Sequence, residues 1–160
     1  MLGIARHTDY AARIILHLAC LEGGARVPIA EIAARRLLPG AFVRRVVVRL
    51  ASAGLLRTVR GAGGGVQLAR PAAEISLLDL VRAMEGGVAL NRCVAAPQAC
   101  PLASTCPVQR AWTGATRHLE DYLDTVRFDV LANALETGVA KQGYPRAQRV
   151  RAARATHRKA

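Results

Sequence analysis

The sequence predicts a mainly α protein with one small β-hairpin: a winged helix-turn-helix domain followed by a long C-terminal dimerisation helix. Three observations predict it. Two short amphipathic segments, joined by the tight connection "LLPG", lie in the first third of the chain. Two strand-like runs flank the glycine-rich "RGAGGG" directly after them. A stripe of large apolar residues then steps by three or four from Trp112 to Val130.

Residues 10–21 read as the first helix, because Ile14, Ile15, Leu18 and Leu21 recur at helical spacing. Thr8 or Asp9 is the candidate cap, since a short oxygen-bearing side chain satisfies free amides in a first turn. Glu22, Gly23 and Gly24 follow as the stop, and Cys20 reads as a small core residue. Pro28 opens a second, short helix with Ile29, Ile32 and Ala33 inward. The third helix runs over 41–53 with Val43, Val46, Val47 and Leu50 inward and Gly54 placed to terminate it. Arg44, Arg45 and Arg49 fall outside that apolar set, free for phosphates or guanine edges if this second helix of the pair enters a major groove. A merely solvated helix face is the competing reading.

Leu56, Thr58 and Val59, then Val66 and Leu68, form the expected hairpin. Its tip holds Arg60, Gly61 and Gly63, a narrow end on which an arginine can enter a minor groove. A phosphate-binding loop is excluded, because no Gly-Lys-Ser/Thr ending exists and a strand follows the glycines. Ser76 with Asp79 three residues on predicts a capped fourth helix, with Leu77, Leu80, Val81 and Met84 inward. The proline-rich run 92–107 reads as a loop. Residues 112–135 read as one long helix whose stripe of Trp112, Ala115, Leu119, Tyr122, Val126 and Val130 needs a second subunit to cover it. The expected organisation is a DNA-binding domain over 1–87, a cysteine loop over 88–110, a dimerisation helix over 111–136 and a basic, disordered tail over 137–160.

Charge sharpens the functional reading. The first 70 residues carry eleven arginines against three acids, a balance of +8, whereas 71–143 carry six basic residues against eight acidic, −2. The last seventeen residues carry six basic residues and no acid. An uneven basic surface suits a polyanion, although an arginine-rich genome would give part of the same signal. No apolar run approaches the roughly 18 residues that would suggest a membrane helix, and the N-terminus lacks a signal-peptide layout. The expectation is therefore a cytoplasmic protein with no membrane partner and no small-molecule substrate. No paired carboxylates or nucleophile with a base argue for an enzyme.

Cys93, Cys100 and Cys106 cluster in "RCVAAPQACPLASTCP". In a reducing compartment such clusters indicate metal or redox chemistry before disulfides. Three is one short of a tetrahedral set, so a fourth ligand has to come from elsewhere. His7, His118 and an aspartate are candidates. A structural zinc site and an electron carrier without a DNA role remain alternatives.

The pieces "TDYAARIILHLA", "IAEIAARR", "LASAGLLRTVRGAGGGVQLARPAAEISLLDLVRAME" and the three cysteines resemble the Rrf2 family of winged-helix, iron–sulfur transcription regulators over about residues 1–136. The resemblance implies a homodimer that reads a two-fold site in duplex DNA. It implies a cluster held between one subunit's cysteine loop and the other's first helix. Gln109 stands where a cluster-biogenesis subgroup has a ligating histidine, and Thr8-Asp9 matches the motif in which a nitric-oxide-sensing, NsrR-type subgroup supplies an aspartate. The implied site is a [4Fe–4S] cluster, in preference to [2Fe–2S], on Cys93, Cys100, Cys106 and Asp9 of the partner subunit. Many members have a glycine near Leu37, and the position often held by a base-reading glutamate is Arg44.

Overall fold

The structure, a computed structural model, describes residues 3–21 and 24–137. Its elements are α1 (Arg6–Ala19), α2 (Ile29–Arg35), α3 (Gly40–Ser52), β1 (Leu56–Val59), β2 (Gly65–Leu68), α4 (Leu77–Glu85), α5 (Arg92–Ala95), α6 (Pro107–Thr125) and α7 (Phe128–Glu136). Single 3₁₀ turns at Ala72–Glu74 and Pro97–Ala99 punctuate the chain. From residue 138 onward the expected basic tail lies outside the described residues.

The core forms where the apolar faces of α1, α3 and α4 meet. Ile14, Ile15, Ile32, Val43, Val47, Leu50, Ile75 and Leu80 are all essentially sealed from solvent. Removing that much aliphatic surface from water is the main force holding the three helices together. The inward set expected for α3 is the buried set observed: Val43, Val46, Val47 and Leu50.

α1 departs from its expected start. It begins at Arg6, and neither Thr8 nor Asp9 caps it. The first-turn groups find a partner on α4 instead. Glu85 Oε1 accepts from the Ala5 backbone N–H at 3.2 Å and from the Thr8 hydroxyl, and His7 Nε2 lies 3.2 Å from the Met84 carbonyl. The Thr8 hydrogen bond is the largest of the influences that hold the Glu85 carboxyl below its ordinary range. Thr8 is therefore buried with its polar atom satisfied by a residue remote in sequence, which local capping rules cannot foresee.

The wing is an antiparallel pair in the register Leu56↔Leu68, Arg57↔Gln67, Thr58↔Val66 and Val59↔Gly65. Val27 adds a one-residue bridge to Val66, exchanging N–H···O bonds of 3.0 and 2.9 Å. That bridge ties the wing to the segment that leads into α2. Ser76 and Asp79 form the expected capping box, and Asp79 also takes Arg70 at 2.8 Å.

The single long C-terminal helix is corrected. α6 ends at Thr125, Val126 and Arg127 turn extended, and α7 begins at Phe128. The reason is a pair of backbone bonds made only in that extended form: Leu77 N–H donates to Val126 O at 2.8 Å, and Phe128 N–H to Ile75 O at 3.1 Å. The turn drives Phe128 into the core, 1 % exposed, and lays α7 against α1. The β-branched pair Thr125-Val126 gives up helix readily. Val126 and Val130 thus leave the stripe expected for one straight helix. The cysteine run is corrected too, since α5 and a 3₁₀ turn occupy part of the expected loop.

Candidate DNA-binding face and cysteine segment

α3 presents Ala41, Arg44, Arg45, Val48 and Arg49 to solvent. Gly40 starts it, and the left-handed Gly54, φ 71°, ends it. Among the described residues Arg44 makes no hydrogen bond or ion pair. The Arg45 guanidinium lies 5.0 Å above the Phe42 ring, whose edge meets Tyr10 of α1 with ring centroids 5.3 Å apart. Arg49 differs from the sequence expectation of a free cation. Its Nε donates to the Ala83 carbonyl at 3.0 Å, tying α3 to the last turn of α4.

The connection between α2 and α3 carries a surprise. Leu37 adopts φ 53°, the left-handed region that suits glycine, and is 91 % exposed. His17 of α1 is buried, with Arg36 Nη2 from the same connection 3.2 Å from its Nδ1. Burial first, then the Arg36 charge, then that of Arg35, hold the His17 imidazole below its ordinary range, against a smaller upward pull from Glu31. A neutral ring accepts from Arg36; a protonated one would face a second cation there.

The wing tip exposes Arg60, with Arg57 also exposed along β1. Gly61 and Gly63 take positive φ of 96° and 74° in open space, so they shape the tip by backbone freedom. Two glycines that the sequence reading passed over are under tighter constraint. A Cβ at Gly64 would stand 2.5 Å from Val59 O, and one at Gly65 would stand 2.7 Å from Val27 O. The only signal for them was the glycine run itself, which does not say which member is crowded.

Cys93 lies in α5, Cys100 follows the second 3₁₀ turn, and Cys106 is the N-terminal flank of α6. All three are half-buried and outside any disulfide. Gln109, at the first turn of α6, closes the segment. Its backbone N–H donates to Cys106 Sγ at 3.4 Å and its side-chain amide donates to the Cys93 carbonyl at 3.4 Å. Asp9 is half-exposed and paired with Arg13 at 2.7 Å across one helical turn. Among the described residues, no group of three or more His, Cys, Asp or Glu side chains is gathered within one chain to hold a metal. The donor chemistry still fits a thiolate-bound cluster, because three partly accessible thiols share one short segment and a carboxylate stands exposed on another helix. His7 is engaged with Met84 and Glu85, and His118 stands exposed on α6. No helix among the described residues is long and apolar enough to cross a membrane.

The family model described as an iron-dependent transcriptional regulator, Rrf2, matches residues 4–134. Protein aau3 of Rhizobium meliloti is 34% identical over 133 residues, covering 82% of this chain and 85% of that protein. The HTH-type transcriptional regulator NsrR of Geobacillus kaustophilus is 32% identical over 134 residues, 83% of this chain and 89% of the relative. Among solved structures, CymR, the global cysteine regulator of B. subtilis, superposes with a TM-score of 0.69 at 26% identity, covering 83% of this chain and 98% of that one.

Proposed function

Because the chain belongs to the Rrf2 family of iron-dependent transcriptional regulators, we propose that it is a homodimeric repressor whose affinity for a two-fold DNA operator is set by an iron–sulfur cluster. Regulation through DNA, not enzymatic turnover, is the family's work. A [4Fe–4S] cluster sensing nitric oxide or redox and iron status is the finer reading. The observation that carries it is the cysteine segment: three half-buried thiols outside any disulfide, held end to end by Gln109.

Cys93, Cys100 and Cys106 supply three thiolates, and Asp9 of the partner subunit supplies the fourth ligand. Bound there, the cluster offers one iron with a weak oxygen ligand, open to exchange with nitric oxide or oxygen. Asp9 has two uses that exclude each other. It can reach across the dimer as a ligand, or close on Arg13 of its own helix, the 2.7 Å pair seen here. Tyr10, next to it on α1, meets Phe42 of the recognition helix, and Arg13 lies over the Tyr10 ring, so the choice is felt at the DNA face. The dimer reading rests on α6. Val108, Trp112, Leu119 and Tyr122 are exposed on one helix, beside an apolar groove lined by Ile4, Val81, Leu90 and Leu123. A second copy is the partner that such a face suits.

The test is isolation without oxygen. The protein should be brown, with about four irons per subunit, and titration with nitric oxide should bleach it and release a two-fold operator. Cys100→Ala should be colourless yet dimeric. Asp9→Ala should keep a cluster that reacts differently with nitric oxide; identical spectra would remove Asp9 from the site. A colourless protein holding one zinc would replace the cluster reading altogether.

A further inference from the structure

The exposed side of α3 is chemically one-sided. No Asn, Gln, Asp or Glu occurs within Gly40–Ser52. An amide side chain is what pairs bidentately with adenine, and a carboxylate is what accepts from cytosine's amino group. Apart from Ser52 in the last turn, guanidinium forks and aliphatic methyls are what the exposed side offers, and they match the O6/N7 edge of guanine and the 5-methyl of thymine.

The three arginines of α3 have different freedom. A recognition helix contacts base edges with its N-terminal turns, where Ala41, Arg44 and Arg45 stand. Arg49 belongs to the last turn and is committed to the Ala83 carbonyl at 3.0 Å. Arg45 is held over an aromatic ring, its guanidinium carbon 5.0 Å from the Phe42 centroid, with Phe42 in a T-shaped contact with Tyr10. A cation restrained over an aromatic ring has already lost part of its ordering entropy before DNA arrives. Arg44 is free. Val48, 65 % exposed, follows Arg44 by four residues and Arg45 by three, so it shares their side of the helix.

Resting on the DNA-binding reading above, we propose that Arg44 and Arg45 read guanines, that Val48 and Ala41 pack against a thymine methyl, and that Arg49 reads no base. Phe42 and Tyr10 are positioning residues for Arg45. Each half-site then carries guanines and a thymine on the edges facing α3.

The experiment is enrichment of duplexes with randomised half-sites on the full-length, anaerobically purified protein. Wild type should enrich two guanine columns and one thymine column per half-site. Arg45→Ala should erase one guanine column, and Phe42→Leu should weaken the same column. Arg49→Ala should leave every column in place while lowering affinity for all sequences alike. Replacing the preferred thymine by uracil should weaken wild-type binding several-fold and leave Val48→Ala indifferent. The assignment is overturned if Arg49→Ala erases a column that Arg45→Ala leaves intact. Salt-sensitive binding without any column would overturn base readout while leaving the DNA-binding reading standing. Absence of binding at any salt would remove both.

Discussion

The winged-helix body and the C-terminal arm are both built of amphipathic helices, yet only the body satisfies its own apolar faces. In α1 and α3 the apolar stripes are buried against each other, and Phe128 of α7 returns to seal the same core. In α6, nineteen residues long, Thr116 is the buried residue, while Val108, Trp112, Leu119 and Tyr122 remain open. The difference is topological. The extended link at Val126 and Arg127 sends α7 back onto α1 and leaves α6 packed on α4 by one face alone, with the cysteine segment at its N-terminal end. The open stripe of α6 is the surface that the proposed second copy would cover.

The largest effect should come from applying one kind of change to both regions. Leu50→Ala in the body should cost about 2–5 kcal/mol of stability, the usual toll of an unfilled core site. Trp112→Glu with Leu119→Glu in the arm should leave the body's unfolding transition unmoved. It should yield a monomer by sedimentation and weaken binding to a two-fold operator by about a hundredfold or more, the loss of bivalent attachment. A monomeric wild type, or a double variant with lowered body stability, would erase the contrast.

The wing sharpens it at smaller scale, since two kinds of glycine sit side by side there. Gly64→Ala places a methyl 2.5 Å from Val59 O, backbone that cannot step aside. We expect about 3 kcal/mol of destabilisation in denaturant titration, at the upper end for overpacking. Gly63→Ala meets only its φ of 74°, with nothing within 4 Å, and should cost about 1–2 kcal/mol. Equal losses at both sites would mean that crowding is not what demands glycine at 64.

These regions also differ in how far the sequence disclosed them. The inward face of α3 was readable because four valines and leucines keep helical spacing over thirteen residues. The Ser76–Asp79 box was readable because both partners lie within one turn. The start of α1 was not, because its cap is Glu85, 77 residues from Thr8. The end of α6 was not, because Val126 bonds Leu77 from another part of the chain. The cysteine run offered candidate ligands by residue type and spacing, whereas the bond from Arg49 to the Ala83 carbonyl is visible only in three dimensions.

His17 offers a gentler probe of the body, through pH. Its folded imidazole titrates below its ordinary value, chiefly from burial and then from Arg36. The unfolded chain therefore binds the proton first. Stability from this group is fully present above about pH 6.5, the unfolded value, and is lost as pH falls from there through the lower folded value. Denaturant midpoints measured from pH 8 to pH 5 should decline in wild type and decline less in His17→Gln. Parallel curves would mean that the buried ring does not titrate against Arg36. The arm, with no such buried base among its described residues, should show no matching step in its dimer equilibrium.

Leu37 should give the smallest effect, and it bears on why the α2–α3 connection can be improved without touching the core. At φ 53° a leucine suffers the Cβ–carbonyl crowding that glycine lacks and that asparagine tolerates better. Its side chain, 91 % exposed, gains little from packing. Leu37→Asn should therefore stabilise the body by about 0.5 kcal/mol, by relieving local strain at little entropic cost. Leu37→Gly should relieve more strain but lose part of the gain to the freer unfolded chain, ending within about 1 kcal/mol of wild type. Leu37→Ala keeps a Cβ and so keeps the strain; it should change nothing measurable in the folded body. If alanine stabilised as much as asparagine, the exposed leucine, not the backbone angle, would be the source of the cost. If all three substitutions instead weakened operator binding at unchanged stability, Leu37 would be held at that angle for contact with DNA, and the strain would belong to function.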